Sequence, residues 1–133
     1  MATLLFELIS PERVLFSGDV RAVMLPATEG DMTVMPGHEP TIVMLNPGIV
    51  ALTDAQGHGH RAFVRSGFVE ITNSGVSVLA ERVLPPEELT RDRLDEEILR
   101  FETMRDALRD EKARREAEFA ISRLEQVKTT LSF

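Results

Sequence analysis

The chain has 133 residues, of which 43% are hydrophobic and 28% charged, the balance of a soluble globular protein of one domain or a small domain with an appendage. Its net charge of -7 argues against nucleic acid or an anionic membrane surface as the main partner, because both demand a basic face. The absence of cysteine excludes disulfides and thiolate metal sites.

The opening residues, Met1-Ala2-Thr3-Leu4-Leu5-Phe6, lack a basic stretch, and Glu7 interrupts the apolar run that follows, so they do not read as a signal peptide. No apolar run reaches the roughly 20 residues that span a bilayer, so no direct membrane insertion is expected. Residues 4–9 and 13–16 read as strands, followed by a turn at Ser17-Gly18-Asp19. Val20, Ala22 and Met24 alternate with Arg21, Val23 and Leu25, another strand pattern. Glu29-Gly30-Asp31 is a turn, 32–35 a strand, and Pro36-Gly37 a further turn stiffened at its exit by Pro40. Asn46-Pro47-Gly48 leads into 49–53, and Gly57-His58-Gly59 into 61–65. Asn73-Ser74-Gly75 joins 68–72 to 76–79, a hairpin signal. Many short strands at this spacing predict an antiparallel β-sandwich.

The chemistry changes near Pro85-Pro86. All 8 glycines precede residue 80, whereas 25 of the 37 charged side chains follow it. We therefore expect a β-sandwich over residues 1–84 and a helical part over 85–133, an α+β architecture. Leu94, Ile98, Phe101, Met104 and Leu108 form one apolar stripe; Ala113, Ala117, Ala120, Leu124, Val127 and Leu131 form a second. The two stripes predict an antiparallel two-helix hairpin turning near residues 106–112. That stretch holds no Gly or Pro, so a single long helix also fits the pattern.

The inventory of reactive groups is thin. His58 and His60 could ligate a metal only with further converging donors, and no acidic or cysteine partner stands at a suitable spacing; they read as a polar hairpin tip. His38 has no visible nucleophile beside it. Gly57-His58-Gly59 lacks the third glycine of a dinucleotide loop and opens no helix, and there is no Walker sequence. The carboxylates after Glu87 alternate with arginine at helical spacing, as on a solvated, ion-paired face. No enzyme activity, cofactor or metal is expected.

Several segments together carry a resemblance. They are Phe6-Glu7-Leu8-Ile9-Ser10-Pro11-Glu12-Arg13-Val14-Leu15-Phe16-Ser17-Gly18, then Glu29-Gly30-Asp31-Met32 with Pro36-Gly37-His38-Glu39-Pro40, then Leu45-Asn46-Pro47-Gly48, Ser66-Gly67-Phe68-Val69-Glu70-Ile71 and Val78-Leu79-Ala80-Glu81. In this order and spacing the chain resembles the epsilon subunit of bacterial F-type ATP synthases. The resemblance implies a sandwich held against the gamma subunit and the polar loops of the c-ring, coupling ring rotation to a catalytic head. It implies a helical tail that can reach the alpha and beta subunits and restrain ATP hydrolysis, and a peripheral place on the cytoplasmic face of the bacterial inner membrane. Glu29, Asp31 and His38 are then the candidates for contact with the ring, and Lys112, Arg114 and Arg115 the basic cluster of the tail. Many relatives carry a nucleotide-sensing Ile/Leu-Asp-x-x-Arg-Ala motif. Here the matching positions are Leu89, Thr90 and Arg93 with Leu94 last, which lack the carboxylate and the small residue. A shifted frame from Leu94 keeps Asp95 and loses the arginine, so neither frame is complete. The resemblance therefore predicts assembly and coupling, with weak ATP binding and weak inhibition.

Overall fold

A computed structural model describes residues 2–132. Nine strands are followed by two helices: β1 (Leu4–Ile9), β2 (Val14–Ala27), β3 (Gly30–Val34), β4 (Thr41–Leu45), β5 (Gly48–Asp54), β6 (Gly59–Val64), β7 (Gly67–Ile71), β8 (Gly75–Ala80), β9 (Val83–Leu84), α1 (Arg91–Ala107) and α2 (Glu111–Thr130). The chain divides into two compact units, one ending at Pro86 and one beginning at Glu87.

The first unit is a β-sandwich whose layers share one long strand. The hydrogen-bonded order is β1-β8-β7-β4-β2-β5-β6-β9, with β3 on β2 and β1 also on β2. The N-terminal half of β2 pairs with β1 from Leu8↔Phe16 to Leu4↔Val20, and its C-terminal half pairs with β3 and β5. Strand β2 thus passes from one layer to the other. A register shift between Val20 and Ala22 marks the bend, as bulges do where strands change direction.

Alternation along the strands turns one face of each layer inward. Phe6, Leu8, Val69, Ile71, Val76 and Val78 meet Val23, Leu25, Val34, Val50, Leu52 and Val64 in a single apolar core. Each of these side chains contributes about 1.5–3 kcal/mol by leaving water.

Three expectations need correction in this unit. The turn at Ser17-Gly18-Asp19 does not form. Gly18 pairs with Phe6 inside the β1–β2 ladder, so the backbone groups there are satisfied by a strand. The sandwich is not wholly antiparallel: β1 runs parallel to β8, from Leu5↔Gly75 to Ile9↔Leu79, because the first strand lies between β2 and the last strand of its layer. Strands β4 and β9 were not expected; β4 (Thr-Ile-Val-Met-Leu) is β-prone throughout but shows both exposed and buried apolar residues, which hides its period. The Asn73-Ser74-Gly75 hairpin is present, its ends closed by Thr72 N to Gly75 O at 2.9 Å.

The second unit is an antiparallel pair of helices, not one long helix. Helix α1 stops at Ala107, where Leu108 turns extended with φ -85° and ψ 141°. Helix α2 restarts on Asp110, whose carboxylate accepts from Ala113 N at 3.0 Å as an N-cap. On α2 the expected stripe is the buried one: Ala117, Ala120 and Leu124 are buried. On α1 the stripe holds at Leu94 and Ile98 but not at Met104, which is exposed, and Glu97 is buried instead.

A candidate interaction surface

The outer face of the β1-β8-β7-β4 layer has an unusual composition. Residues directly opposite on paired strands point to the same side. Met44 pairs with Phe68, Phe68 with Leu79, and Leu79 with Ile9, so four apolar side chains form one row across four strands. Met44 is 57% exposed, Phe68 42% and Leu79 40%. Ile42, two residues before Met44 on the same face, is 68% exposed. A shallow open depression over the row is lined by Ile9, Pro11, Met44, Phe68, Leu79 and Glu81. Single exposed hydrophobics are ordinary, whereas a contiguous row marks a surface that another body covers.

The row has polar borders. At one side Glu81 accepts from Arg65 Nη1 at 3.0 Å and from Ser66 Oγ at 2.8 Å. Gly67 follows with φ +147°, and an added Cβ there would stand 2.2 Å from Leu79 O, so only glycine lets β7 and β8 approach beside the row. At the β4 end, Thr28 N donates to Met44 O at 3.0 Å, which sets the β2–β3 turn next to Met44. That turn is Ala27-Thr28-Glu29-Gly30, closed by the Ala27↔Gly30 pair, and Gly30 takes φ +129°. Glu29 and Asp31 flank Gly30 and are exposed, so the acidic turn adjoins the apolar row.

His38 is elsewhere. Pro36 and Gly37 occupy the centre of a turn closed by His38 N to Met35 O at 3.3 Å, with Gly37 at φ +86°, the geometry that a Pro-Gly pair favours. Gly37 N donates to Asn73 O at 3.3 Å, tying this turn to the β7–β8 hairpin tip. Thr41 pairs with Ile71 at that end of β4, and Leu45 with Gly67 at the other. His38 is thus at one end of β4 and Glu29 with Asp31 at the other, separated by roughly 13 Å of strand at 3.3 Å per residue. The structure brings two of the three candidates together and not the third. The His38 ring donates from Nδ1 to Glu39 O at 2.7 Å.

The degenerate motif positions have local duties. Thr90 is the N-cap of α1, its hydroxyl accepting from Arg93 N at 3.2 Å. The Arg93 guanidinium lies 3.8 Å from Glu96 on the next turn. Leu89 and Leu94 are buried. Of the basic cluster, Lys112 and Arg115 are exposed, but Arg114 is half-buried and donates to Leu108 O at 3.5 Å across the interhelical turn.

The β5–β6 tip corrects one sequence reading. An acidic partner for the histidines does exist: Asp54 accepts from His60 Nε2 at 2.8 Å and from the amides of Gln56 and His58, both at 2.9 Å. The spacing Asp54-x-x-x-His58-x-His60 was the signal, since a tight hairpin folds its first residue back on its last. The His60 ring donor, then the His58 amide, hold the Asp54 carboxyl below the usual carboxylate range, against a smaller upward pull from burial. Among the described residues, no group of three or more His, Asp or Glu is arranged to hold a metal ion. Among them too, no helix is long and apolar enough to cross a membrane.

The family of ATP synthase Delta/Epsilon chain β-sandwich domains matches residues 3–86, the whole sandwich. A protein of Parvibaculum lavamentivorans named ATP synthase epsilon chain is 45% identical over 108 residues, 80% of this chain and 82% of its own length. This chain belongs to the ATP synthase epsilon-chain family. A second epsilon chain, from Ruegeria sp. strain TM1040, is 50% identical over 102 residues, 77% of this chain and 74% of its own. The epsilon-chain fold recurs in more distant structures. A chain in the cryo-EM structure of the Euglena gracilis mitochondrial ATP synthase, OSCP/F1/c-ring, matches 98% of this one and 82% of its own length with a TM-score of 0.76 at 23% identity. A chain in the central stalk/c-ring structure of the Tetrahymena thermophila mitochondrial enzyme gives a TM-score of 0.67 at 10% identity, over 92% and 94% of the two chains.

Proposed function

We propose that this epsilon-family chain is a non-catalytic rotor subunit in the central stalk of an F-type ATP synthase, where its sandwich couples c-ring rotation to the catalytic head. The Met44-Phe68-Leu79 row with its acidic border carries the reading. An apolar strip suits a permanent protein partner, and burying it removes several large side chains from water. We assign the row to the gamma subunit. Glu29 and Asp31, beside the row, then meet the polar loops of the c-ring, where exposed carboxylates complement basic or amide groups. His38, at the far end of β4, belongs to a separate edge of the contact. Catalysis then falls to the alpha and beta subunits; in support, Asp54 with His60 and Glu81 with Ser66 pair with each other in structural contacts. The protein is held at the cytoplasmic face of the inner membrane through these partners.

The sandwich, residues 1–84 with the short junction after it, is the assembling domain, and residues 85–133 are a regulatory tail that inhibits ATP hydrolysis weakly. Residues 81–133 hold 11 basic and 14 acidic side chains, a poor match for an acidic surface of the head. Arg114 is spent on the interhelical turn, which leaves Lys112 and Arg115 as the outward part of the basic cluster that could meet the alpha and beta subunits.

The test is binding of purified gamma to the chain with Phe68→Ser and Leu79→Ser together. Removing two apolar anchors from the row should weaken binding by about 1–3 kcal/mol or more, without a matching loss of thermal stability. Gamma binding unchanged by the double substitution would end the assignment of this face.

A further inference from the structure

The apolar row contains one atom of a different chemical kind, the thioether sulfur of Met44. With no cysteine in the chain, the methionine sulfurs are its most readily oxidised groups. They are not equivalent. Met32 is half-buried and packs on the core, whereas Met24, Met35, Met44 and Met104 are exposed. Of these four, Met44 alone stands in the row with Phe68 and Leu79. Its backbone is held on both sides, by the β7 ladder and by Thr28 N, and its neighbour Leu45 points into the core. A chemical change at the Met44 side chain therefore alters the surface and leaves the strand in place.

We propose that Met44 is a site of reversible oxidation by peroxide, and that its sulfoxide weakens docking on the apolar row; this rests on the docking role assigned to that face above. The step is balanced with hydrogen peroxide as oxidant. The sulfur lone pair attacks one peroxide oxygen, the S–O bond forms as the O–O bond breaks, and the departing hydroxide takes the proton from the oxygen now on sulfur, leaving the sulfoxide and one water. Sulfur loses two electrons and the peroxide gains them. The product carries a strong acceptor dipole where Phe68 and Leu79 offer no donor. A partner shaped for an apolar strip must then bury that oxygen without a hydrogen bond, which is costly. Restoration belongs to the class of reductases that return methionine sulfoxide to the thioether. The modification would act on subunits before or during assembly, while the row is open to solvent.

The experiment treats the full chain with hydrogen peroxide, maps each methionine by mass spectrometry, and measures binding to purified gamma. It includes Met44→Leu, which keeps the row apolar but cannot oxidise, Met35→Leu as a control off the row, and the Phe68→Ser/Leu79→Ser chain. We expect Met44 to oxidise well before Met32. Binding should fall about tenfold, equal to about 1.4 kcal/mol, in the treated wild type and in treated Met35→Leu. Treated Met44→Leu should bind as before, and reduction of the sulfoxide should restore the wild type. Met44 oxidising no faster than Met32 overturns the proposal. So does full oxidation of Met44 without loss of binding in a chain whose Phe68→Ser/Leu79→Ser form binds poorly, a result that leaves the docking role standing. If neither the double substitution nor oxidation weakens binding, the docking role itself is lost, and the proposal with it.

Discussion

Lys128 Nζ lies 2.6 Å from Asp95 Oδ1, joining the last turn of α2 to the second turn of α1. The pair is 33 residues apart in the chain and bridges the open ends of the hairpin, whose antiparallel sense the short connection from Ala107 to Glu111 already imposes. Asp95 is nearly half exposed, so solvent screens the attraction and the pair contributes about 0.2–1 kcal/mol. Lys128→Glu replaces it with a repulsion. The helical circular dichroism of the variant should melt a few degrees earlier at low salt and converge on the wild type at high salt. A melt that is unchanged at low salt would show that the pair contributes nothing.

The sandwich should stand without the helices. Its core cluster draws on β1 to β8 and Val83, and β9 closes on β6 through Phe63↔Leu84 and Val64↔Val83. A chain ending at Pro86 keeps all of these pairs, whereas a cut after Val83 would remove half of β9. We expect the 1–86 fragment to unfold cooperatively in urea with β-type circular dichroism. A fragment without a cooperative transition would mean that residues after 86 complete the core.

Gly67 cannot accept a side chain without a shift of the neighbouring backbone. Its φ of +147° is a region left almost wholly to glycine, and a Cβ would meet Leu79 O at 2.2 Å and Ala80 Cα at 2.8 Å, both backbone atoms that cannot rotate away. Gly67→Ala should cost about 2–4 kcal/mol in denaturant unfolding. At Gly30, also at positive φ but with open space around it, the same change should cost about 1 kcal/mol or a little more. Equal losses at the two sites would refute the argument from close approach.

The tip of the β5–β6 hairpin makes a pH-dependent contribution. The folded carboxyl of Asp54 titrates below its unfolded value, chiefly because His60 and the His58 amide donate to the ionised form. Folded protein therefore binds the proton less well than unfolded protein. The stabilisation is fully present above the unfolded pKa of about 3.9 and is lost as pH falls through the lower folded pKa. Asp54→Asn should lower the melting temperature by a constant amount at neutral and mildly acidic pH, with the difference shrinking below about pH 4. A difference that widened in acid would mean that the sign of the shift is wrong.

What the sequence discloses and what it conceals follow from distance along the chain. The helical stripe of α2 and the Asn73-Ser74-Gly75 hairpin are local patterns, and both are where they were expected. The end of α1 was also local, though its sign was Asp110 as an N-cap and not a glycine or proline. Gly18 misled because a glycine between polar residues reads as a turn, while the β1 ladder that keeps it extended is a tertiary matter. The family motifs pointed to Glu29, Asp31 and His38 as one group. Folding separates His38 from the other two, because β3 and the Pro36-Gly37 turn carry the chain along the length of β4. The apolar row was invisible for a related reason. Met44, Phe68, Leu79 and Ile9 come from four strands, and only the register sets them side by side.

The isolated chain should bind ATP weakly or not at all. A nucleotide brings several negative charges to a chain already at -7, so it needs a local set of donors. At the motif positions, the Thr90 hydroxyl is committed to Arg93 N as the helix cap, and Arg93 leans toward the Glu96 carboxylate. Leu94, where the motif has a small residue, is fully buried, so a bulky side chain packs inward at that position. Thr90→Asp separates these causes. Aspartate caps a helix at least as well as threonine, so the fold should be kept while the missing carboxylate is restored. We expect calorimetric titration to show dissociation constants weaker than about 1 mM, less than about 4 kcal/mol of binding, for both wild type and Thr90→Asp, because Leu94 still stands where the motif has a small residue. Micromolar binding by the wild type would overturn the argument. Micromolar binding gained by Thr90→Asp alone would show that the carboxylate, and not the space, was the missing element.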